Sequence, residues 1–197
     1  ALEHEPKDLI IDSRMAWHFV PSSFSVYMMC DARVSAERIL NAGRESEPFS
    51  SIEEAVRSVA DRRKSEMLRY SGLYGVNIKD TENYDYVIDT SFVPPETVGA
   101  HIADHYRKYA AGERFARYEI CPARLLPYGA RGGEPAVFEE DGCWYIASGA
   151  DEIARRIRAG ETLIACTKAE KGEGSFTLEK AREWERETGV KLVLPRA

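Results

Sequence analysis

No apolar run in the 197-residue chain approaches the roughly 20 residues that a membrane-spanning helix requires. Cysteine is also scarce. Cys30, Cys121, Cys143 and Cys166 stand singly, with no Cys-x2-Cys pair and no secretory signal ahead of them. This usage points away from a disulfide-built secreted fold and toward reduced thiols in a cytoplasmic protein. Nor is there an excess of positive charge: 27 Lys and Arg against 33 Asp and Glu leave a formal net charge of −6. A general nucleic-acid-binding surface, which needs clustered excess Lys and Arg, is therefore not expected, although a local basic groove is compatible with the composition. Metal ligation is thin as well. His101 and His105, four residues apart with Asp104 between them, match half of a zinc site. No third ligand lies near them in sequence, so they read as surface histidines and no metal is expected there. The cysteines have no His or Asp arrangement around them that suits nucleophilic catalysis.

What is present is enough apolar material for a core, 44% of the chain, in a length that suits one domain or two small ones. Residues 9–11 and 26–30 are short apolar runs suited to strands covered on both faces. The first run ends in the polar Asp12-Ser13-Arg14, and in open α/β sheets ligands bind outside the carboxyl ends of strands. Residues 15–24 read as a turn or short helix, and residues 34–40 as a helix that Ser35 could cap. Ser50-Ser51-Ile52-Glu53-Glu54 carries two overlapping capping boxes, so a helix is expected from there to about Tyr70, broken by Ser71-Gly72 and Gly75. Residues 86–88 read as a strand, and Pro94-Pro95 starts a helix whose Val98, Ile102 and Tyr106 face a core. Tyr84, Tyr86, Trp144 and Trp184 read as core or partly buried aromatics.

The segment most suggestive of chemistry is 62–70. Arg62, Glu66 and Arg69 stand at i, i+4 and i+7 and share one narrow helical stripe. Two guanidiniums flanking a carboxylate suit a phosphate and its attached polar group, since Arg offers fixed, bidentate donors to phosphoryl oxygens. The alternative is a solvated face of i, i+4 ion pairs.

Four pieces in order resemble the second half of the cytidylate kinases, members of the P-loop nucleoside monophosphate kinases. These are Leu9-Ile10-Ile11-Asp12-Ser13-Arg14, Ser25-Val26-Tyr27-Met28-Met29-Cys30-Asp31, the Arg-x3-acid-x2-Arg helix, and Tyr84-Asp85-Tyr86-Val87-Ile88-Asp89-Thr90-Ser91. The resemblance covers about residues 8–109. It implies an α/β fold for residues 1–112, part of a P-loop kinase parallel sheet with flanking helices; residues 113–197, outside the resemblance, read from their own pattern as a small second α/β domain. It also implies transfer of the ATP γ-phosphoryl group to CMP or dCMP, with Mg2+ accompanying ATP.

By the same resemblance, Arg62 and Arg69 bracket the transferring phosphoryl group and the acceptor phosphate. Glu66 orients the acceptor or one of these arginines, and Asp12 and Arg14 line the acceptor-nucleotide pocket. Arg63, on another part of the helix, is a lesser substrate-binding candidate. Each has a duller alternative: Asp12 could merely cap a turn, and Arg14 could be an ordinary surface residue. Met15 stands where cytidylate kinases usually carry an acidic residue that can accept from the cytosine amino group, so the preferred base is left open.

The family's Gly-x4-Gly-Lys-Ser/Thr loop is absent; the glycines of 129–133 and 172–174 follow no buried strand with Lys-Ser/Thr behind it. The expectation is a C-terminal piece of a longer protein, inactive alone, whose partners include a nucleoside monophosphate, ATP and its own N-terminal segment. No membrane partner is expected.

Beyond 110–117 the residues read as a strand near 118–126 and a hairpin of 136–138 with 143–147 across Asp141-Gly142. A helix over 150–159, a strand over 162–167, a helix from Thr177 to Thr188 ended by Gly189, and a strand over 190–194 complete the tail. This order faintly resembles the ParB and sulfiredoxin-like fold, whose Gly-Glu-Arg-Arg phosphate motif falls on Gly149-Ala150-Asp151-Glu152. A structural or interaction role for the tail is the alternative. Two functions of different class follow: a nucleoside monophosphate kinase, or a non-catalytic nucleotide-binding or interaction module.

Overall fold

The computed structural model describes residues 9–42 and 49–195. The chain divides into two compact units, Ala1–Tyr86 and Val87–Ala197. The fold is α/β, with strands and flanking helices in both parts of the chain. The expected boundary near residue 112 falls within the second unit, between a helix and a strand.

In the first unit, α1 (Ala16–Phe19) is followed by β1 (Val26–Met29), α2 (Ala32–Asn41) and α3 (Ile52–Tyr74). α2 begins where the Asp31 carboxylate accepts from the backbone N–H groups of Arg33 and Val34; Ser35, the expected cap, lies inside the helix. α3 begins at Ser51, whose hydroxyl accepts from Glu54 N–H, while Glu54 reaches back to Ser50 N–H at 2.8 Å. Ala55 and Val59 are its buried positions, and α2 packs on it. The residue before β1 is tied to the end of the unit by a side chain: the Asp85 carboxylate accepts from Ser25 N–H at 2.8 Å and from the Ser25 hydroxyl at 2.7 Å.

Two expectations fail in this unit. Residues 9–11 form no strand; all three are exposed and have no ladder partner among the described residues. α3 also runs through Ser71-Gly72, because one interior glycine costs only about 1 kcal/mol against continued helical bonding. It stops at Gly75, which holds φ 67° in the left-handed region.

In the second unit the strands are β2 (Tyr86–Asp89, its first residue closing the first unit), β3 (Tyr118–Ile120), β4 (Leu125–Pro127), β5 (Ala136–Glu140), β6 (Cys143–Ser148) and β7 (Ile164–Lys168). Their order is β2-β3-β7-β5-β6-β4. β2 and β3 are parallel, β3 and β7 antiparallel, β7 and β5 parallel, β5 and β6 antiparallel, and β6 and β4 parallel. This part of the sheet is therefore mixed, not purely parallel.

Asp141 and Gly142 both have positive φ, 52° and 78°, as a two-residue hairpin turn between twisted strands requires. The expected strand over 118–126 is two strands, because Pro122 has no N–H for the ladder and opens a short turn. Residues 190–194 form no strand; Val193 N–H donates a bond of 2.7 Å to the Ala123 carbonyl.

α4 (Pro95–Ala110), α5 (Ala150–Arg158) and α6 (Leu178–Thr188) complete the second unit, with α5 packed on α6 and β7. On α4 the buried positions are Val98 and His105, while Tyr106 is exposed. A true 3.6-residue period carries the stripe from Val98 to His105, and the expected four-residue step to Tyr106 drifts off it.

Gly149 precedes α5 at φ 74°, and a Cβ there would lie 2.6 Å from Glu134 C and Pro135 N. Gly149→Ala is therefore expected to lower stability by more than the roughly 1–2 kcal/mol of left-handed strain alone. Gly75→Ala, with open space around the added Cβ, should cost the strain only. Urea unfolding of the two variants side by side checks the difference.

Candidate functional site

The expected site residues that the structure ties to each other lie in the first unit. Arg14 follows the irregular segment 9–13, held in part by the Ser13 hydroxyl, which accepts from Met15 N–H at 3.1 Å. Its Nε donates to Glu66 Oε2 at 3.1 Å, joining residues 52 positions apart. Arg14 is 57% exposed and Glu66 20%. A carboxylate that holds Nε leaves the terminal guanidinium nitrogens as a donor fork for an anion.

Glu66 lies midway between Arg62 and Arg69 on α3, both exposed. Seven residues of helix separate those two by about 10 Å along the axis. Arg69 Nη2 donates to the Tyr70 hydroxyl at 3.2 Å, with the guanidinium carbon 4.9 Å from the ring centroid. Arg63 is half-buried, and Asp12 is exposed two residues before Arg14. The structure thus pairs Arg14 with Glu66, and it sets Arg69 against Tyr70.

Rings surround these groups, a feature that the sequence spacing did not reveal. Trp17 Nε1 donates to the Arg14 carbonyl at 3.2 Å. Trp17 lies 5.6 Å from His18 and 5.8 Å from Tyr84 between ring centroids. Tyr84 is buried, donates to the Ile78 carbonyl at 3.0 Å, and has its phenol pushed up to about 12 by burial.

The second unit has two buried polar clusters. In the first, the fully buried Asp89 carboxylate, at the end of β2, accepts from Ser91 N–H at 3.0 Å, from the Ser91 hydroxyl, and from Cys121 N–H at 3.3 Å. Arg124, 10% exposed, approaches Asp89 Oδ1 to 3.3 Å through Nη1, close enough for an ion pair but not aligned as a hydrogen bond. The second cluster corrects the reading of the histidines. His105 is buried, its Nδ1 2.9 Å from the His101 carbonyl, while His101 Nδ1 lies 2.7 Å from Glu119 Oε2 on β3. These residues tie α4 to the sheet. Among the described residues, no group of three or more His, Cys, Asp or Glu could hold a metal ion.

The α5 N-terminus, where a tail phosphate motif would act, is already occupied by protein. Gly149 N–H donates to the Gly132 carbonyl at 2.8 Å and Asp151 N–H to the Arg131 carbonyl at 2.8 Å. Glu152 in the first turn is paired with Arg155 and Arg156, which hold its carboxyl down at about 2.

Burial pushes the thiols of Cys121 and Cys166 up to about 12, with the Asp89 carboxylate adding to the effect on Cys121. Native protein treated with iodoacetamide at pH 8 should therefore leave both unmodified by peptide mass spectrometry, while the partly exposed Cys30 is alkylated. Modification of Cys121 before unfolding would contradict the packing described.

The chain is 37% identical over 94 residues to the cytidylate kinase of Pyrococcus abyssi, which is 47% of this chain and 49% of that protein. It is 34% identical over 90 residues to the cytidylate kinase of Methanothermobacter thermautotrophicus, 46% of this chain and 53% of that protein. It is also 30% identical over 102 residues to an S-adenosylmethionine-dependent nucleotide dehydratase of Lacinutrix mariniflava, 52% of this chain and 20% of that protein. The chain thus spans about half the length of these cytidylate kinases and a fifth of the dehydratase. About half of the chain is a cytidylate kinase-like region. No family model matches the chain, and no solved structure does. No helix among the described residues is long and apolar enough to cross a membrane.

Proposed function

We propose that this chain carries the acceptor half of a nucleoside monophosphate kinase, which moves the γ-phosphoryl group of ATP to CMP or dCMP. The observation that carries the reading is the Arg14–Glu66 pair within the first unit, in a chain about half of which is similar to cytidylate kinases. Arg14, steadied by Glu66, offers its terminal nitrogens to the acceptor phosphate, and Asp12 lines the same pocket. Arg62 and Arg69 stabilise charge spread over the phosphoryl oxygens in the transition state. Arg63 assists substrate binding from the neighbouring part of α3.

In the reaction, an oxygen of the acceptor phosphate forms a bond to the γ-phosphorus as the bond to the β–γ bridging oxygen breaks, giving CDP and ADP. No covalent enzyme intermediate is involved, because positioning and electrostatics suffice for this chemistry.

The sequence contains no Gly-x4-Gly-Lys-Ser/Thr loop, so the ATP phosphates are held by a segment outside these residues, which is then a partner of this chain. Among the described residues no group of three or more His, Cys, Asp or Glu could hold a metal ion, and Asp89 is committed to Ser91, Cys121 and Arg124, so Mg2+ would be carried chiefly by the ATP phosphates. Mg2+ belongs with ATP and that segment, and no step here is assigned to it.

The missing loop also favours a second reading, a nucleotide-binding module without turnover. An ATP-dependent assay of the full gene product on CMP, dCMP, UMP and AMP separates the two. CDP formation from CMP supports the kinase; no turnover on any acceptor, with CMP still bound, supports the module.

A further inference from the structure

Large aromatic side chains left at the surface beside guanidiniums need an explanation, and the first unit has such a group. Phe19 is 55% exposed and Tyr74 45%. They meet edge to face, with centroids 5.4 Å apart and planes at 85°. His18 lies 5.0 Å from Phe19 and 6.1 Å from Tyr74. Tyr70 stacks against Tyr74 at 6.3 Å and carries the Arg69 guanidinium at 4.9 Å. At the other end, Trp17 lies 5.6 Å from His18 and donates to the Arg14 carbonyl. A series of rings therefore runs from Arg14 to Arg69, and Phe19, Tyr74 and the His18 between them are all exposed.

We propose that Tyr74 and Phe19 form the platform on which the nucleobase of a nucleoside monophosphate stacks while its phosphate meets Arg14 and Arg69. The inference rests on the acceptor-site reading and deepens it by assigning the base. Charge complementarity selects the occupant: an apolar, π-faced group joined to a dianion matches exposed rings flanked by two arginines. A single nucleotide fits better than a nucleic-acid strand, since the chain carries a net charge of −6. Stacking is also tolerant of base identity, because every base presents a π face. CMP and UMP should therefore bind within a few-fold of each other.

The test is calorimetric titration of the 197-residue chain with CMP and, separately, with ribose 5-phosphate, which has the phosphate and no base. A stacked base raises affinity by roughly five- to a hundred-fold. The wild-type preference for CMP over ribose 5-phosphate should fall in that range, collapse toward unity in Tyr74→Ala, weaken in Phe19→Ala, and persist in Tyr74→Phe. An unchanged preference in both alanine variants overturns the platform, as does equal binding of CMP and ribose 5-phosphate by the wild type. Affinity that grows with the length of an oligocytidylate overturns it in favour of a strand-binding surface. The kinase reading fails separately, by absence of CDP formation in the full gene product, and that result leaves the base preference standing.

Discussion

Replacing Arg69 by Ala in the full gene product is expected to lower kcat on CMP by on the order of a thousandfold, with a much smaller change in KM. Arg69 is exposed and its hydrogen bond goes to the adjacent Tyr70, so removing it disturbs no core contact. The loss should therefore be one of transition-state stabilisation, felt as charge develops on the phosphoryl oxygens. Arg69→Lys should recover only part of the rate, because an ammonium keeps the charge but not the planar fork. The melting temperature of both variants should stay near that of the wild type. A kcat reduced by less than about ten-fold in Arg69→Ala would remove Arg69 from the reaction.

The largest stability effect is expected at Asp89, which has no exposure and faces the nearly buried Arg124 at 3.3 Å. Asp89→Ala deletes the acceptor for Ser91 and Cys121 and leaves a guanidinium buried without its counter-charge. Removing one partner of such a pair costs about 3–5 kcal/mol, well above the median for a surface pair. Arg124→Met in the Asp89→Ala background should restore the part of the loss that comes from the uncompensated guanidinium, while the N–H groups of Ser91 and Cys121 stay without the Asp89 acceptor. Urea unfolding measures both. A single-variant loss below about 1 kcal/mol would mean that water reaches the cluster.

The parts of the fold that local chemistry dictates could be read from the sequence. Ser51 and Thr177 cap their helices as the capping rule requires, and Asp141-Gly142 makes the hairpin turn. The failures arise where structure depends on a distant partner. Residues 9–11 and 190–194 have strand-like composition, yet a strand exists only where a neighbour completes the ladder. The histidines on α4 depart from the surface expectation for a related reason: Glu119, which faces them, is 18 residues from His101.

Within the candidate site, the Arg62, Glu66 and Arg69 stripe follows from helical spacing alone. The pairing of Arg14 with Glu66 spans 52 residues, and no local spacing announces it. Exposure, not spacing, distinguishes the rings of Phe19 and Tyr74 from core aromatics, so the sequence alone does not single them out.

The most direct test of the central claim, that the first unit holds a nucleoside monophosphate, is to follow the arginine Nε–Hε signals of the 197-residue chain by NMR during titration with CMP. Arg14 and Arg69, assigned by their alanine variants, should shift together along one saturable curve. Shifts that stay linear to the highest CMP concentration, or that fall only on arginines of the second unit, would contradict the account.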